Sequence, residues 1–312
     1  MRNMIVTVTL NPAIDMNLTV PDWRFDDTNR AVSVRKDAGG KGINVSRVVA
    51  EMGVATRALC FLGGHSGREF HDLLRVKGIE LRYVRIEGET RLNVVITNQA
   101  QQKQIKVNQQ GPKIKHAEFR RFERLLSREL PEVAFIAFCG SLPPGLPHDT
   151  YLRLVERARR RNVRAVLDAD GEVLKQGILG KPFLLKPNHY ELERLMGRKL
   201  ASQGAVIDAA RQLLARGVEI VVVSDAERPC VAVKKQEVWI GIPPKVKVLS
   251  TVGSGDSLIA GLVMKFIEGK PLREALRYGI AMGTAAATTP DTQLCFRKDV
   301  PPIFKRVRVE RG

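Results

Sequence analysis

Along the chain, apolar residues recur with two periods, and the changes between them mark the elements. MIVTVTL, residues 4–10, alternates apolar and polar positions as a strand does and stops at Asn11-Pro12. Residues 16–37 carry short alternating pieces, NLTV and RAVSVRKD, without a helical period, which suits a small β excursion. In AGGKGINVSRVVAEMG (38–53), Ile43, Val45, Val48, Val49 and Met52 lie on one helical stripe, and Gly53 fits the terminal cap. ALCFLGGHSGREFHDLLRVKG (58–78) reads as strand, glycine-rich turn and helix. Residues 81–108 return to short β pieces, YVRIE, GETRLNVVITN and QIKVNQ. These pieces and residues 16–37 are expected to form one small sheet outside the main one.

From about residue 113 the alternation becomes regular. A helix at 117–130 precedes the strand VAFIAFCG, the turn SLPPGLP and a helix at 149–161 with Tyr151, Leu152, Val155 and Ala158 on its apolar stripe. VRAVLDAD, FLLKPN, a helix carrying Glu191, Leu192 and Leu195, VIDAARQLLARG, EIVVVSD and a hairpin-like VAVKKQEVWIG follow. Continuous apolar strands alternating with helices predict an α/β fold with a mostly parallel sheet covered on both faces. No repeat, low-complexity tract or long linker is visible in residues 1–312, so one unit with a small insertion is expected.

Composition narrows the class. An apolar content of 44% excludes wholesale disorder, and no run of about 18 apolar residues predicts a membrane span. Cys60, Cys139, Cys230 and Cys295 lie far apart without a CxxC pair, which fits a reduced compartment and neither a disulfide framework nor a structural zinc site. The N-terminal MRNMIVTVTL reads as a strand rather than a signal peptide, and a cytoplasmic location is expected. The net charge of +18 would attract polyanions through its summed field. Runs such as RLVERARRRNVR (153–164) are read as solvated helix faces, and no aromatic pattern interleaves with them, which argues against nucleic acid as a partner.

The chemistry gathers at TVGSGDSLIAG, residues 251–261. Gly253 and Gly255 let successive N–H groups point into one space, and a helix N-terminus follows, which makes an anion site. Asp256 stands at its edge, either as a base for an attacking hydroxyl or as a helix cap. Asp15 follows the first strand, where open α/β sheets bind ligands, or else closes an Asx turn. Gly39, Gly40 and Gly42 surround Lys41 at a helix start, where a lysine opposes the dipole unless an anion lies between them. Asn44 offers a donor and an acceptor to a polyol. Arg91 and Asn93 share one face of a strand, and an arginine fork suits phosphate. Asn188 and Glu191 could hold a hydrated Mg²⁺ or form a capping box, and the spacing fits both. His65 and His71 have no ligand spacing and are read as surface residues.

NPAID, AGGKGINV, FLGGHSG, GETRLNV, CGSLPPG, KPNHYEL, STVGSGDSLIAG and PDTQLC, in this order over about residues 4–300, resemble the PfkB branch of the ribokinase superfamily of carbohydrate kinases. The resemblance implies a three-layer ribokinase-like fold, with a central sheet of about nine strands and a small β-sheet lid from about 16–37 and 88–110. It implies that Asp15, Gly39, Gly40, Asn44 and Asn93 line a sugar site and that Lys41 and Arg91 bind a phosphate already on the substrate. Asp256 would be the base, and Gly253, Ser254 and Gly255 the anion hole. Lys186, Asn188, Ser224 and Thr251 would face ATP, and Asn188 and Glu191 would orient Mg²⁺. A homodimer paired through the lid is implied, with Arg30 reaching a neighbour's site.

Lys41, LNPAID and GETRLN match the phosphosugar subgroup, so the expected reaction is ATP-dependent phosphorylation of fructose 1-phosphate to fructose 1,6-bisphosphate. Tagatose 6-phosphate and fructose 6-phosphate are the alternative acceptors. Four residues depart from the family pattern. The nucleotide loop reads SDAERPC, with Ala226 and Pro229 in place of glycines, Ser254 replaces an alanine, and Asp170 stands where serine is frequent. A kinase for an unphosphorylated sugar would not need both Lys41 and Arg91. A non-catalytic protein that binds sugar phosphate or nucleic acid would draw on the altered loop and the charge alone. A dinucleotide-binding dehydrogenase is disfavoured, because no GxGxxG follows the first strand.

Overall fold

In a computed structural model that describes residues 4–75, 78–225, 228–290 and 293–312, the first strand, β1 (Met4–Thr9), lies inside a ten-stranded sheet. The chain leaves it at once for a second sheet through β2 (Ala13–Val20) and β3 (Ser33–Gly39), and returns by α1 (Lys41–Glu51) to β4 (Thr56–Gly63). α2 (Gly64–Leu73) leads to β5 (Ile79–Ile86), and β6 (Arg91–Asn98) and β7 (Lys103–Asn108) complete the second sheet. Next come α3 (His116–Glu129), β8 (Val133–Cys139), α4 (Thr150–Arg159), β9 (Arg164–Asp168), α5 (Gly171–Ile178) and β10 (Leu184–Leu185). α6 (His189–Met196), α7 (Gln203–Ala215), β11 (Ile220–Val223), β12 (Cys230–Lys234) and β13 (Glu237–Ile242) follow. α8 (Ser254–Ile267), α9 (Leu272–Ala287), α10 (Val300–Arg306) and β14 (Arg308–Arg311) close the chain.

The large sheet has the order β14-β13-β12-β11-β10-β9-β8-β1-β4-β5, parallel from β5 to β11 and antiparallel from β12 to β14. Alternation divides each strand between two cores. Val6, Phe61, Ile136, Leu167 and Val221 pack with α3, α4, α5 and α7, whereas Ile5, Phe135, Val166 and Val222 pack with α1, α8 and α9. These layers match the expected ribokinase-like architecture.

Two strands differ from the sequence reading. YVRIE does not join the small sheet: it belongs to β5, parallel to β4 along Thr56–Gly63, and Val84 and Ile86 bury against the α3 side. A strand reached through a helix crosses back beside its predecessor, so α2 carries it there. The tenth strand is β14, a short C-terminal piece on β13 that the pattern did not single out.

The small sheet has the order β3-β2-β6-β7. Its register gives the faces opposite characters. Val34, Leu18, Ile96 and Ile105 form one cross-strand row, with Met16, Val94 and Val107 beside it. Asp37, Asp15, Asn93 and Asn108 form a row on the other face. The basic helix α4 is a solvated face, as expected, with Arg153 paired to Asp149 at 2.7 Å and Arg157 to Glu123 at 2.8 Å. Among the described residues, no helix is long and apolar enough to cross a membrane. Ala226, and Asp291 and Thr292 of PDTQLC, lie outside the described residues.

Candidate active site

The C-terminal ends of the parallel strands bring most of the candidates together. Gly253 has φ 76°, and a Cβ there would meet Leu294 Cδ2 at 2.3 Å, so the turn into α8 needs a residue without one. Ser254, Gly255 and Asp256 form the first turn of α8, where a helix has no carbonyl four residues back for its N–H groups, and Ser254 N makes only a long 3.4 Å bond to Thr251 O. Ser254 Oγ is buried without a partner among the described residues. Thr251, just before the turn, is exposed.

Asp256 does not cap its helix. The N-cap is Gly253, no side chain caps it, and the Asp256 carboxylate instead accepts from Asn44 Nδ2 of α1 at 2.8 Å. The group is 6% exposed. Burial, and after it the charge of Asp168, pushes its carboxyl up to about 6, against the pull of Lys41, the Asn44 hydrogen bond and Lys186.

Lys41 and Lys186 flank this carboxylate, and Asp168 joins them. Lys41 Nζ lies 3.1 Å and Lys186 Nζ 3.6 Å from Asp168 Oδ1, and Lys41 Nζ lies 3.6 Å from Glu191 Oε1. Burial works against the charge on Lys41, but Asp168, Glu191 and Asp256 outweigh it and hold the ammonium above its ordinary value. Burial likewise opposes the charge on Asp168, and Lys186 and Lys41 overcome it. A Cβ on Gly255 would lie 3.3 Å from Lys186 Nζ, which places that ammonium at the mouth of α8. Asp168 was not among the sequence candidates. Its signal was the one used for Asp15, a carboxylate at the C-terminal end of a buried strand. Asp170, unexplained in the sequence, caps α5 by accepting from Gly171 N at 2.7 Å and pairs with Arg194 at 2.7 Å.

Asn188 and Glu191 form the capping box: Asn188 Oδ1 accepts from Glu191 N at 2.8 Å and Glu191 Oε2 accepts from Asn188 N at 2.8 Å. Glu191 Oε1 stays outside the box and turns to Lys41. No cluster of three or more carboxylate, histidine or cysteine ligands exists among the described residues. Mg²⁺ keeps most of its waters, so one carboxylate oxygen outside the box, held only by the 3.6 Å ion pair with Lys41, fits an ion brought in with a nucleotide. Ser224 bridges to Asn188, with Ser224 N donating to Pro187 O at 3.1 Å.

A second group lies on the polar face of the small sheet. Asp15 Oδ1 accepts from Asn93 Nδ2 at 2.8 Å, and a Cβ on Gly39 would fall 1.9 Å from Asp15 Oδ2. Burial raises the Asp15 carboxyl, against the Asn93 hydrogen bond and the Arg91 charge. Asn93 Oδ1 is buried without a partner among the described residues. Gly40 follows with φ 122° and leads directly into Lys41, which joins this group to the first. Arg91 is tied to backbone: its Nε and Nη2 donate to Asn11 O at 3.2 and 3.0 Å, and Nη1 donates to Gln109 O at 2.8 Å. No motif pointed to these carbonyls. Arg30 is exposed, as are His65 and His71.

The chain is similar to known proteins over nearly its whole length. The signature described as pfkB family carbohydrate kinase matches residues 2–299. The chain is 36% identical over 308 residues to the 1-phosphofructokinase of Bacillus subtilis, covering 99% of this chain and 100% of that protein. It is 33% identical over 308 residues to the 1-phosphofructokinase of Borreliella burgdorferi, covering 98% of each. The crystal structure of phosphofructokinase-2 from Escherichia coli with substrates and products superimposes with a TM-score of 0.91 at 30% identity, covering 97% of this chain and 98% of that one. That protein has also been solved as a tetrameric inhibited form.

Proposed function

From the premise that the chain belongs to the pfkB family of carbohydrate kinases, we propose that it transfers the γ-phosphoryl group of ATP to the free primary hydroxyl of fructose 1-phosphate, giving fructose 1,6-bisphosphate. The observation that carries this reading is Asp256, a buried carboxylate held by Asn44 and set beside the glycine turn and two lysines. With its carboxyl at about 6, Asp256 is ionised at neutral pH yet basic enough to accept the proton of the attacking hydroxyl. The oxygen attacks phosphorus, the bond to the β-phosphate oxygen breaks, and ADP leaves. Phosphoryl transfer needs positioning and charge neutralisation above all. The first-turn N–H groups of Ser254, Gly255 and Asp256, with Lys186, supply that neutralisation.

On this reading Asp15, Asn93, Gly39, Gly40 and Asn44 receive the sugar, with the unpartnered Asn93 Oδ1 facing a hydroxyl donor. Lys41 and Arg91 receive the phosphate already on it. Arg91 spends three of its five N–H donors on carbonyls, which leaves two for an anion. Lys186, Asn188, Ser224 and Thr251 face the nucleotide, and Glu191 Oε1 and Asn188 orient the waters of Mg²⁺, which supplies further charge neutralisation when bound. The small sheet serves as a lid over one kinase domain, and its apolar face pairs with a second copy. Four free, buried cysteines support a reducing, cytoplasmic setting.

An ADP-release assay across fructose 1-phosphate, fructose 6-phosphate, tagatose 6-phosphate, fructose and ribose tests the proposal. The expected order places fructose 1-phosphate first in kcat/KM. Preference for free fructose or ribose would contradict it.

A further inference from the structure

Arg91 is the first residue of β6, and its fork is fastened to two separate stretches of chain. Nε and Nη2 donate to Asn11 O, between β1 and β2, and Nη1 donates to Gln109 O, just after β7. A guanidinium is planar and rigid, so the places of these two carbonyls decide where its remaining donors point.

One side chain ties the two stretches together. Asn11 Nδ2 donates to Gln110 O at 3.0 Å and to Ser141 Oγ, in the turn after β8, at 3.2 Å. The first bond joins the chain entering the small sheet to the chain leaving it. The second fastens both to the end of a strand of the large sheet. Gly111 has φ 98°, and a Cβ there would lie 2.2 Å from Asn11 Oδ1, so the leaving chain admits this amide only because residue 111 has no side chain. Asn11 is 5% exposed, and its Oδ1 has no partner among the described residues. Leaving a buried oxygen unpaired is destabilising, and a residue that only turned the chain into Pro12 would not require it.

We propose that Asn11 is a positioning residue: by fixing the entering and leaving chains relative to each other, it sets the Arg91 fork for the phosphate already on the sugar. The inference rests on the reading that Arg91 receives that phosphate. Asn11 acts through Arg91, and Ser141 anchors Asn11 to the large sheet. Ser141 is exposed, so its truncation leaves the core untouched.

The test is calorimetric titration with fructose 1-phosphate, and separately with MgATP, on the wild type, Asn11→Ala, Ser141→Ala, Arg91→Ala and the two double variants that contain Arg91→Ala. Asn11→Ala is expected to weaken the phosphosugar about tenfold and Ser141→Ala about threefold, the effects of two hydrogen bonds and of one, with MgATP within about twofold. In the Arg91→Ala background neither change should weaken the sugar by more than about twofold further, because residues that act through one group are not additive. Sugar affinity unchanged in Asn11→Ala, an equal loss for MgATP, or losses that multiply with that of Arg91→Ala would overturn the proposal. If Asn11→Ala does not fold, Ser141→Ala decides by the same comparison. A wild type that binds fructose 1-phosphate but transfers nothing to it would sink the transfer reading alone, since the cycle is read from affinities. A wild type whose sugar affinity survives Arg91→Ala would sink the role of Arg91, and that of Asn11 with it.

Discussion

Burial and the charge of Asp168 push the Asp256 carboxyl up to about 6, so folding and chemistry ask opposite things of it. An acid whose folded value is raised binds its proton more tightly in the folded chain. The protein therefore loses stability as pH rises from the ordinary value of 3.8 to about 6, and carries the whole deficit above that. A shift of this size corresponds to about 3 kcal/mol. Asp256→Asn removes the charge and keeps an oxygen for Asn44, so above pH 6 it should raise Tm while lowering kcat at least ~100-fold. In the wild type, kcat should fall along an acidic limb near pH 6. Thermal melts and rate profiles over the same pH range check both. A kcat within about threefold of normal would remove the base role. Asp256, Asn44 and Lys41 were legible because each sits in a short motif whose chemistry is local. Asp168 was not, because its importance comes from the two lysines it neutralises, one on α1 and one after β10, which no spacing in the sequence relates.

The junction of β3 with α1 shows how an element sets a site. Gly39 ends the strand beneath Asp15, Gly40 turns the backbone, and Lys41 begins the helix. Alanine at 39 would meet the end of a side chain, not backbone, so the clash resolves by swinging the Asp15 carboxylate away from Asn93. Gly39→Ala should thus fold normally and raise the sugar KM by about tenfold, the loss of a buried hydrogen bond to charge, with the ATP KM unchanged. Equal rises in both would show that the residue acts through the fold as a whole. Sequence pattern carries such elements well: apolar periodicity found the parallel strands, α1 and the hairpin of β12 and β13. It did not place β5, whose alternation is the same whether it pairs with β4 or with the small sheet. Nor did it settle Asn188 and Glu191, since a capping box and an ion site need the same oxygens three residues apart, and only the described geometry shows the box formed.

At the scale of the molecule, the small sheet has an apolar face that the described chain leaves largely uncovered. Val34, Ile105 and Val107 are 60%, 40% and 55% exposed, and each lies in register with apolar neighbours on the inner strands. Side chains of a strand alternate, so the face that carries them is opposite the one that carries Asp15 and Asn93. Covering it with a second copy would bury the apolar rows without blocking the polar face. In the dimer proposed above, the exposed Arg30 of each subunit would reach the neighbour's lid, where a cation would meet an anionic sugar. Paired substitution of Ile105→Lys and Val107→Glu should convert a dimer to a monomer in analytical ultracentrifugation. If Arg30 completes the neighbour's site, kcat/KM for the phosphosugar should fall with it, and Arg30→Ala should reproduce that fall in a protein that remains dimeric. A wild type that sediments as a monomer at micromolar concentration and turns over normally would rule the arrangement out. A dimer insensitive to both surface substitutions would place its interface elsewhere.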